Sequence, residues 1–214
     1  ERKSKMVLNK FLCIFWLATV SILSCSQPKS AEESSPTIAT QELNEHDGIF
    51  DRKTARNFSQ NKITQEQIDL IIKAAFAAPT GGNQRSCEFI IVTDRNVMLH
   101  MKKGNPYSQA LDTAPLAIVV AANTRMAAFP ELLTMDAGMA AQNILVQASK
   151  LGLASVPMSI APQKVRIEGV SRALNIPTEI IPQIMICIGH PSADAVSSAS
   201  TNFHDKNKIH YNQY

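Results

Sequence analysis

Apolar residues along this chain recur in two ways, at helical spacing in some stretches and as short unbroken runs in others. After Thr64 the apolar positions Ile68, Ile71, Ile72, Ala75 and Phe76 fall three and four apart, which predicts an amphipathic helix to about Ala78. Thr64 followed three residues later by Gln67 has the pattern of a capping box, and Pro79-Thr80-Gly81-Gly82 ends the helix. Phe89-Ile90-Ile91-Val92 predicts a short buried strand, and Asp94 is placed to cap a helix running toward Lys103. Leu116 to Ala122 predicts a second strand. From Asp136 to Lys150 a long helix is expected, with Gly138, Ala141, Leu145 and Ala148 forming a small-residue face that suits close approach of backbone or a flat ligand, and with Gly152 as its stop. A strand near Leu153 to Met158, a helix opened by Pro162 and ending at Leu174, and a last buried strand from Gln183 to Ile188 complete the series. A short helix over Gln41 to Phe50 precedes it, and no internal repeat is present. This order fits parallel α/β as one possibility, yet no G-x-G-x-x-G turn follows any strand, so a dinucleotide is not held in the Rossmann manner.

The pattern at the N-terminus is different. A basic region through Lys10 leads into the apolar run Phe11 to Val20 and then Ser21-Ile22-Leu23-Ser24-Cys25, too short for a comfortable membrane span. Ile22-Leu23-Ser24-Cys25 resembles the bacterial lipobox, which predicts a signal peptide over 1–25 with Cys25 lipidated. Residues 26–40 turn to Ser, Glu, Pro, Gln and Lys, a composition that buries too little apolar surface to order itself, and are expected to be a flexible tether to one domain over 41–214. The expected location is therefore a membrane-anchored lipoprotein, periplasmic or at the cell surface.

Charge changes the picture by exclusion. The net +3 comes from the N-terminus: four basic residues and one acidic residue lie ahead of Cys25, and the remainder balances at 17 of each sign. A balanced domain gives no electrostatic reason to expect nucleic acid, whose binding needs clustered Lys and Arg. With 45% hydrophobic residues the chain is long enough for one sizeable core. Of four cysteines, only Cys87 and Cys187 lie beyond the signal and the lipid site; Cys187, within Ile184-Met185-Ile186-Cys187-Ile188, is expected to be a buried, inert thiol.

Three segments carry candidate chemistry. Arg52, Lys53 and Arg56 bracket Thr54, offering guanidinium forks, an ammonium and a hydroxyl to one tetrahedral anion, although a solvated basic turn has the same composition. Pro79, Thr80, Gly81 and Asn83 close a helix with residues that let backbone approach a flat ligand, and a plain Gly-rich helix stop is the alternative. Gly152-Leu153-Ala154-Ser155-Val156-Pro157-Met158-Ser159 follows the long helix as a strand leading into a turn.

Taken together and in this order, R-K-T-A-R, then A-P-T-G-G-N, then D-A-G-M-A-A-Q-N on a long helix running into G-L-A-S-V-P, the chain resembles the nitroreductase family of flavin enzymes from about Phe50 to Lys208-Ile209-His210-Tyr211-Asn212. The resemblance implies an α+β fold with a mixed, largely antiparallel sheet flanked by helices, homodimeric, with FMN as cofactor. It implies that Arg52, Lys53, Thr54 and Arg56 contact the flavin phosphate and ribityl chain, that Pro79, Thr80, Gly81 and Asn83 lie beside the ring, and that Pro157, Met158, Ser159 and Ile160 line the turn against the reactive nitrogen and the pyrimidine side. Lys206, or less directly Lys208, takes the place of a C-terminal cation on the phosphate; another alignment puts Asn202 there. Both chains of the homodimer are expected to contribute to each site. The implied activity is two-electron transfer from NAD(P)H to a nitroaromatic, quinone or similar small acceptor by a ping-pong mechanism, with the flavin and no side chain carrying the chemistry. The chain departs from the family where Asn-x-Gln-Pro-Trp is common, having Asn83-Gln84-Arg85-Ser86-Cys87, and where an acidic residue and glycine are common, having Ser159-Ile160.

Other classes are weaker. Ser59-Gln60-Asn61-Lys62 fits S-x-x-K, but no S-D-N or K-T-G accompanies it. The histidines include no H-E-x-x-H or other metal-ligand spacing. A lipoprotein that binds flavin or another small ligand without turnover is the main rival, because free NADH and NADPH belong to the cytosol. Tyr107 to Leu111 and Arg125 to Leu133 are expected lid segments.

Overall fold

The computed structural model describes residues 48–193 and 204–214. The expected signal, tether, Cys25 and Asn202 lie outside them, as does most of the expected helix from Gln41 to Phe50, whose last three residues form a bend and turn.

Eight regular elements follow in the expected order: α1 (Gln65–Phe76), β1 (Cys87–Val92), α2 (Arg95–Lys103), β2 (Leu116–Asn123), α3 (Leu133–Lys150), β3 (Ala154–Ser159), α4 (Lys164–Leu174) and β4 (Ile180–Gly189). The strands form one sheet in the order β1-β2-β4-β3, and every neighbouring pair is antiparallel. The parallel α/β alternative is thereby excluded and the α+β expectation holds. The last strand is inserted between β2 and β3, which run the same way on either side of it. The parallel component is an isolated bridge, Thr54 to Ser155, outside the edge strand β3.

Alternation along the central strands sorts the core into two layers. Ala117 and Val119 of β2 with Met185 and Cys187 of β4 face α2 and α4, packing with Met98, Met101 and Val170. Leu116, Ile118 and Val120 with Ile186 and Ile188 face α1 and α3, packing with Ile71, Ala137, Ala140 and Ile144. Strands buried on both faces must be apolar at every position, which is why these read as unbroken runs rather than as alternation.

Local chemistry sets the boundaries. At α1, Thr64 Oγ1 accepts from Gln67 N at 3.2 Å while Gln67 Oε1 accepts from Thr64 N at 3.0 Å, the expected capping box. The helix stops at Phe76 rather than Ala78, consistent with the bias of residues before a proline against helical backbone. Asp94 Oδ1 accepts from Val97 N at 3.0 Å and starts α2. Three residues earlier than expected, α3 begins at Leu133, fed by a turn over Pro130–Leu132. Pro162 does not open α4: Ile160 N and Ala161 N both donate to Gln183 O, at 3.0 and 3.1 Å, so the chain stays tied to β4 through Ala161 and helix begins only after Gln163. The last strand begins at Ile180, and Gln183 is the extra residue of a bulge opposite Val120 and Ala121. Buried there, Gln183 accepts from Thr134 Oγ1 at 3.1 Å and so links the start of α3 to the turn after β3.

Candidate functional site

The basic segment and the turn after β3 meet at the sheet edge. Ser155 N donates to Lys53 O at 3.3 Å, which lays residues 53–54 alongside β3, and Ala55 is buried behind them. Arg52 Nη1 donates to Thr54 Oγ1 at 3.0 Å, leaving the hydroxyl proton of Thr54 to donate elsewhere. Arg56 stands exposed at the mouth of a cleft of about 450 Å³ shared with Asn105, Tyr107, Val156 to Ser159 and Arg166. Its volume lies within the range of small-ligand sites. Pro157 and Ser159 are exposed along it, whereas Met158 and Ile160 turn their side chains into the core, and Ile160 N is already bonded to Gln183.

The Pro79–Asn83 loop stands elsewhere. Thr80 and Asn83 line a second cleft, of about 620 Å³, with Phe76, Arg85, Cys87, Phe89 and Ala140. Asp136, fully buried at the start of α3, accepts from Gly81 N at 2.8 Å and from Gln84 Nε2 at 2.6 Å. Gln84 Oε1 in turn accepts from Phe129 N at 2.9 Å. Gly82, Asn83 and Arg85 all have positive φ, and Arg85 Nε donates to Asn83 Oδ1 at 3.0 Å, which engages the amide oxygen of Asn83 and not its nitrogen. Where the chain departs from the family's aromatic, Phe89 packs edge to face on Phe76, ring centres 4.9 Å apart. One chain therefore brings the first and third segments together and holds the second in a separate cleft.

Lys206 stands exposed in a turn over Lys206–Lys208 whose start is capped by Asp205, and it lines neither cleft. Of the two expected lids, Arg125 is bound to Glu179 at 3.1 Å, while Tyr107 projects into the first cleft. Arg166 was not legible as a site residue: it lies seven positions beyond Ser159, an ordinary polar position of an amphipathic helix, and only the fold brings it back to donate to Ser159. The S-x-x-K serine accepts from Asn61 N at 3.4 Å, a local turn. Among the described residues no His, Cys, Asp or Glu cluster suits a metal, and no helix is long and apolar enough to cross a membrane.

Among the described residues, Cys87 and Cys187 are both free thiols. Burial, with a smaller contribution from the charge of Asp136, pushes Cys87 up to about 11. Burial pushes Cys187 up to about 12 against a small opposing effect of Arg95. Neither is an activated nucleophile, since the thiolate is the reactive form.

Comparison with known proteins identifies the family. The chain matches the Nitroreductase family over residues 49–103 and 96–190 and belongs to it. A protein of Archaeoglobus fulgidus, provisionally named NADH dehydrogenase/NAD(P)H nitroreductase, is 31% identical over 163 residues, 76% of this chain and 94% of the relative. Among solved structures, an NADH oxidase, also provisionally named, from Clostridium acetobutylicum superposes with a TM-score of 0.73 at 31% identity, covering 78% of this chain and 100% of that one. An FMN-dependent nitroreductase from Clostridium difficile superposes with a TM-score of 0.70 at 26% identity, covering 78% and 99%.

Proposed function

We propose that this chain is an FMN-dependent oxidoreductase that moves two electrons from NAD(P)H to a nitroaromatic, quinone or similar small acceptor, the two substrates taking turns at one site. The observation that carries the reading is the bond from Ser155 N to Lys53 O, which lays the segment of Arg52, Thr54 and Arg56 along the edge strand that ends in the exposed Pro157 and Ser159. Family membership and the FMN-dependent and NAD(P)H-linked names of relatives support the same cofactor and donor.

The residues present fit FMN. Arg52, Lys53, Thr54 and Arg56 would hold its phosphate with charge-assisted bonds, and the strand end at Pro157–Ser159 would lie against the ring, with Met158 and Ile160 anchoring it through side chains in the core and, at Ile160, a main-chain bond to Gln183. FMN bound there supplies the hydride and electron chemistry; the protein's part is to orient it and to keep one face open. Thr80 and Asn83 line the other cleft, on the loop that also carries Pro79 and Gly81, so a homodimer that sets one chain's second cleft against its partner's first would complete each site. Lys206, on its separate turn, joins the phosphate site in the same reading.

Placement of the domain outside the membrane, through lipid on Cys25, rests on the N-terminal pattern alone and favours a second reading, a flavin-binding lipoprotein without turnover. Bleaching of the yellow absorbance by NADH, restored by a nitroaromatic, separates enzyme from binder. For the site itself, the variant carrying Arg52→Ala with Arg56→Ala should bind FMN at least tenfold more weakly by fluorescence titration with an unchanged circular dichroism spectrum. Full FMN affinity in that variant would overturn the assignment. Light scattering of the FMN-loaded protein tests the dimer.

A further inference from the structure

Arg166 is the cation of the first cleft that the reading above leaves unused. Its Nη1 donates to Ser159 O at 3.2 Å and to Ser159 Oγ at 3.0 Å, and the guanidinium carbon lies 5.0 Å from the centre of the Tyr107 ring. Asn105, fully buried, donates Nδ2 to the same Ser159 carbonyl at 3.4 Å and accepts from Tyr107 N at 3.1 Å. Ser108 Oγ donates to Asn105 O and pins the loop from below. Guanidinium, ring and strand end are thus one connected unit built from α4, the loop before β2, and β3.

Two properties of this unit point to a ligand. No acidic side chain lines the cleft, and among the described residues Arg166 has no carboxylate partner, so its charge is uncompensated. Nη1 is the nitrogen given to Ser159, leaving donors on the rest of the planar fork, which is shaped for carboxylate or phosphate. Because stacking and the two bonds to Ser159 already hold the side chain, an arriving anion incurs little of the rotamer cost that makes exposed ion pairs weak.

We propose that Arg166, held against Tyr107, selects substrates bearing an anionic group for this cleft. This rests on the oxidoreductase reading, with Arg52, Lys53, Thr54 and Arg56 serving the cofactor. The anion has two possible sources, a carboxylate on the acceptor or a phosphate of the reduced dinucleotide, and the fork recognises either.

The experiment compares ratios, which a general loss of activity does not move. With FMN-loaded protein, kcat/KM for 4-nitrobenzoate relative to 4-nitrobenzamide, and for NADPH relative to NADH, is measured in the natural protein, Arg166→Gln and Arg166→Lys. A tenfold or greater fall of the first ratio in Arg166→Gln, partly restored in Arg166→Lys, assigns the anion to the acceptor; a fall of the second assigns it to the donor. Both ratios unchanged overturns the proposal, as does an unchanged ratio accompanied by loss of FMN, which would place Arg166 in the cofactor cradle. Calorimetric titration of benzoate against benzamide into the protein as purified gives a readout free of turnover: benzoate should bind at least tenfold tighter, with the preference lost in Arg166→Gln. If the protein holds no FMN the oxidoreductase reading fails, and the benzoate preference still decides the role of Arg166.

Discussion

Gly104 and Gly169 meet backbone to backbone where the end of α2 crosses α4. A Cβ on Gly104 would lie 2.7 Å from Gly169 Cα, and one on Gly169 would lie 2.5 Å from Gly104 Cα. Neither neighbour is a side-chain tip that swings aside, so the helices would have to separate above the Met98 and Met101 layer. Gly104→Ala and Gly169→Ala should each cost about 1–3 kcal/mol, lowering Tm by about 2–4 °C per kcal/mol in thermal melts. Gly138→Ala is the contrast: nothing lies within 4 Å of its Cβ position, so relief of a mid-helix glycine should raise stability by about 0.5–1 kcal/mol.

Asp136 organises the second cleft by accepting two donors with its two oxygens. Asp136→Asn would turn one amide N–H₂ toward a donor, because Gln84 cannot flip without losing its bond from Phe129 N. Asp136→Asn should therefore be nearly as damaging as Asp136→Ala, about 1–3 kcal/mol in denaturant melts, with faster hydrogen exchange at Gly81.

Loss of the Thr64 hydroxyl removes one half of the capping box at α1. Thr64→Ala should cost about 1 kcal/mol, and Thr64→Ser about none, by chemical denaturation.

The thiols set an alkaline limit. Each folded-state pKa is raised, so above the ordinary thiol range the unfolded chain releases protons that the folded chain keeps, and stability falls as pH rises from about 9 toward 11 or 12. For buried Cys187 the slope approaches about 1.4 kcal/mol per pH unit, and Cys187→Ala should flatten it. Labelling of Cys87 by a thiol reagent should be slow at neutral pH and climb with pH up to about 11.

Much of this was legible because periodicity reports burial. The order of helices and strands followed from it, as did the caps at Thr64 and Asp94, which need only a local hydroxyl or carboxylate. The start of α4 was missed because what delays it is a pair of bonds to Gln183, more than twenty residues away. The antiparallel pairing was implied by the family motifs and not by the apolar runs, since a strand buried on both faces looks the same in either direction. Of the residues of the candidate site, Arg52, Thr54 and Arg56 were picked out by clustering, and Pro157 and Ser159 by the motif they end. Arg166 and Asp136 did not, because their roles come from groups seven and more than fifty positions distant.

The bridge between Thr54 and Ser155 has a further consequence, for solubility. The edge strand β3 has β4 on one side, and on the other the short bridge at Thr54 and Ser155, with its bond from Ser155 N to Lys53 O, secures its cover. Open strand edges recruit other chains, and natural sheets guard them with charge or a covering segment. Here the guard is the phosphate-binding segment of the proposed site, carrying Arg52, Lys53 and Arg56. Whatever loosens that segment unguards the edge, so cofactor depletion and aggregation are two outcomes of one local opening.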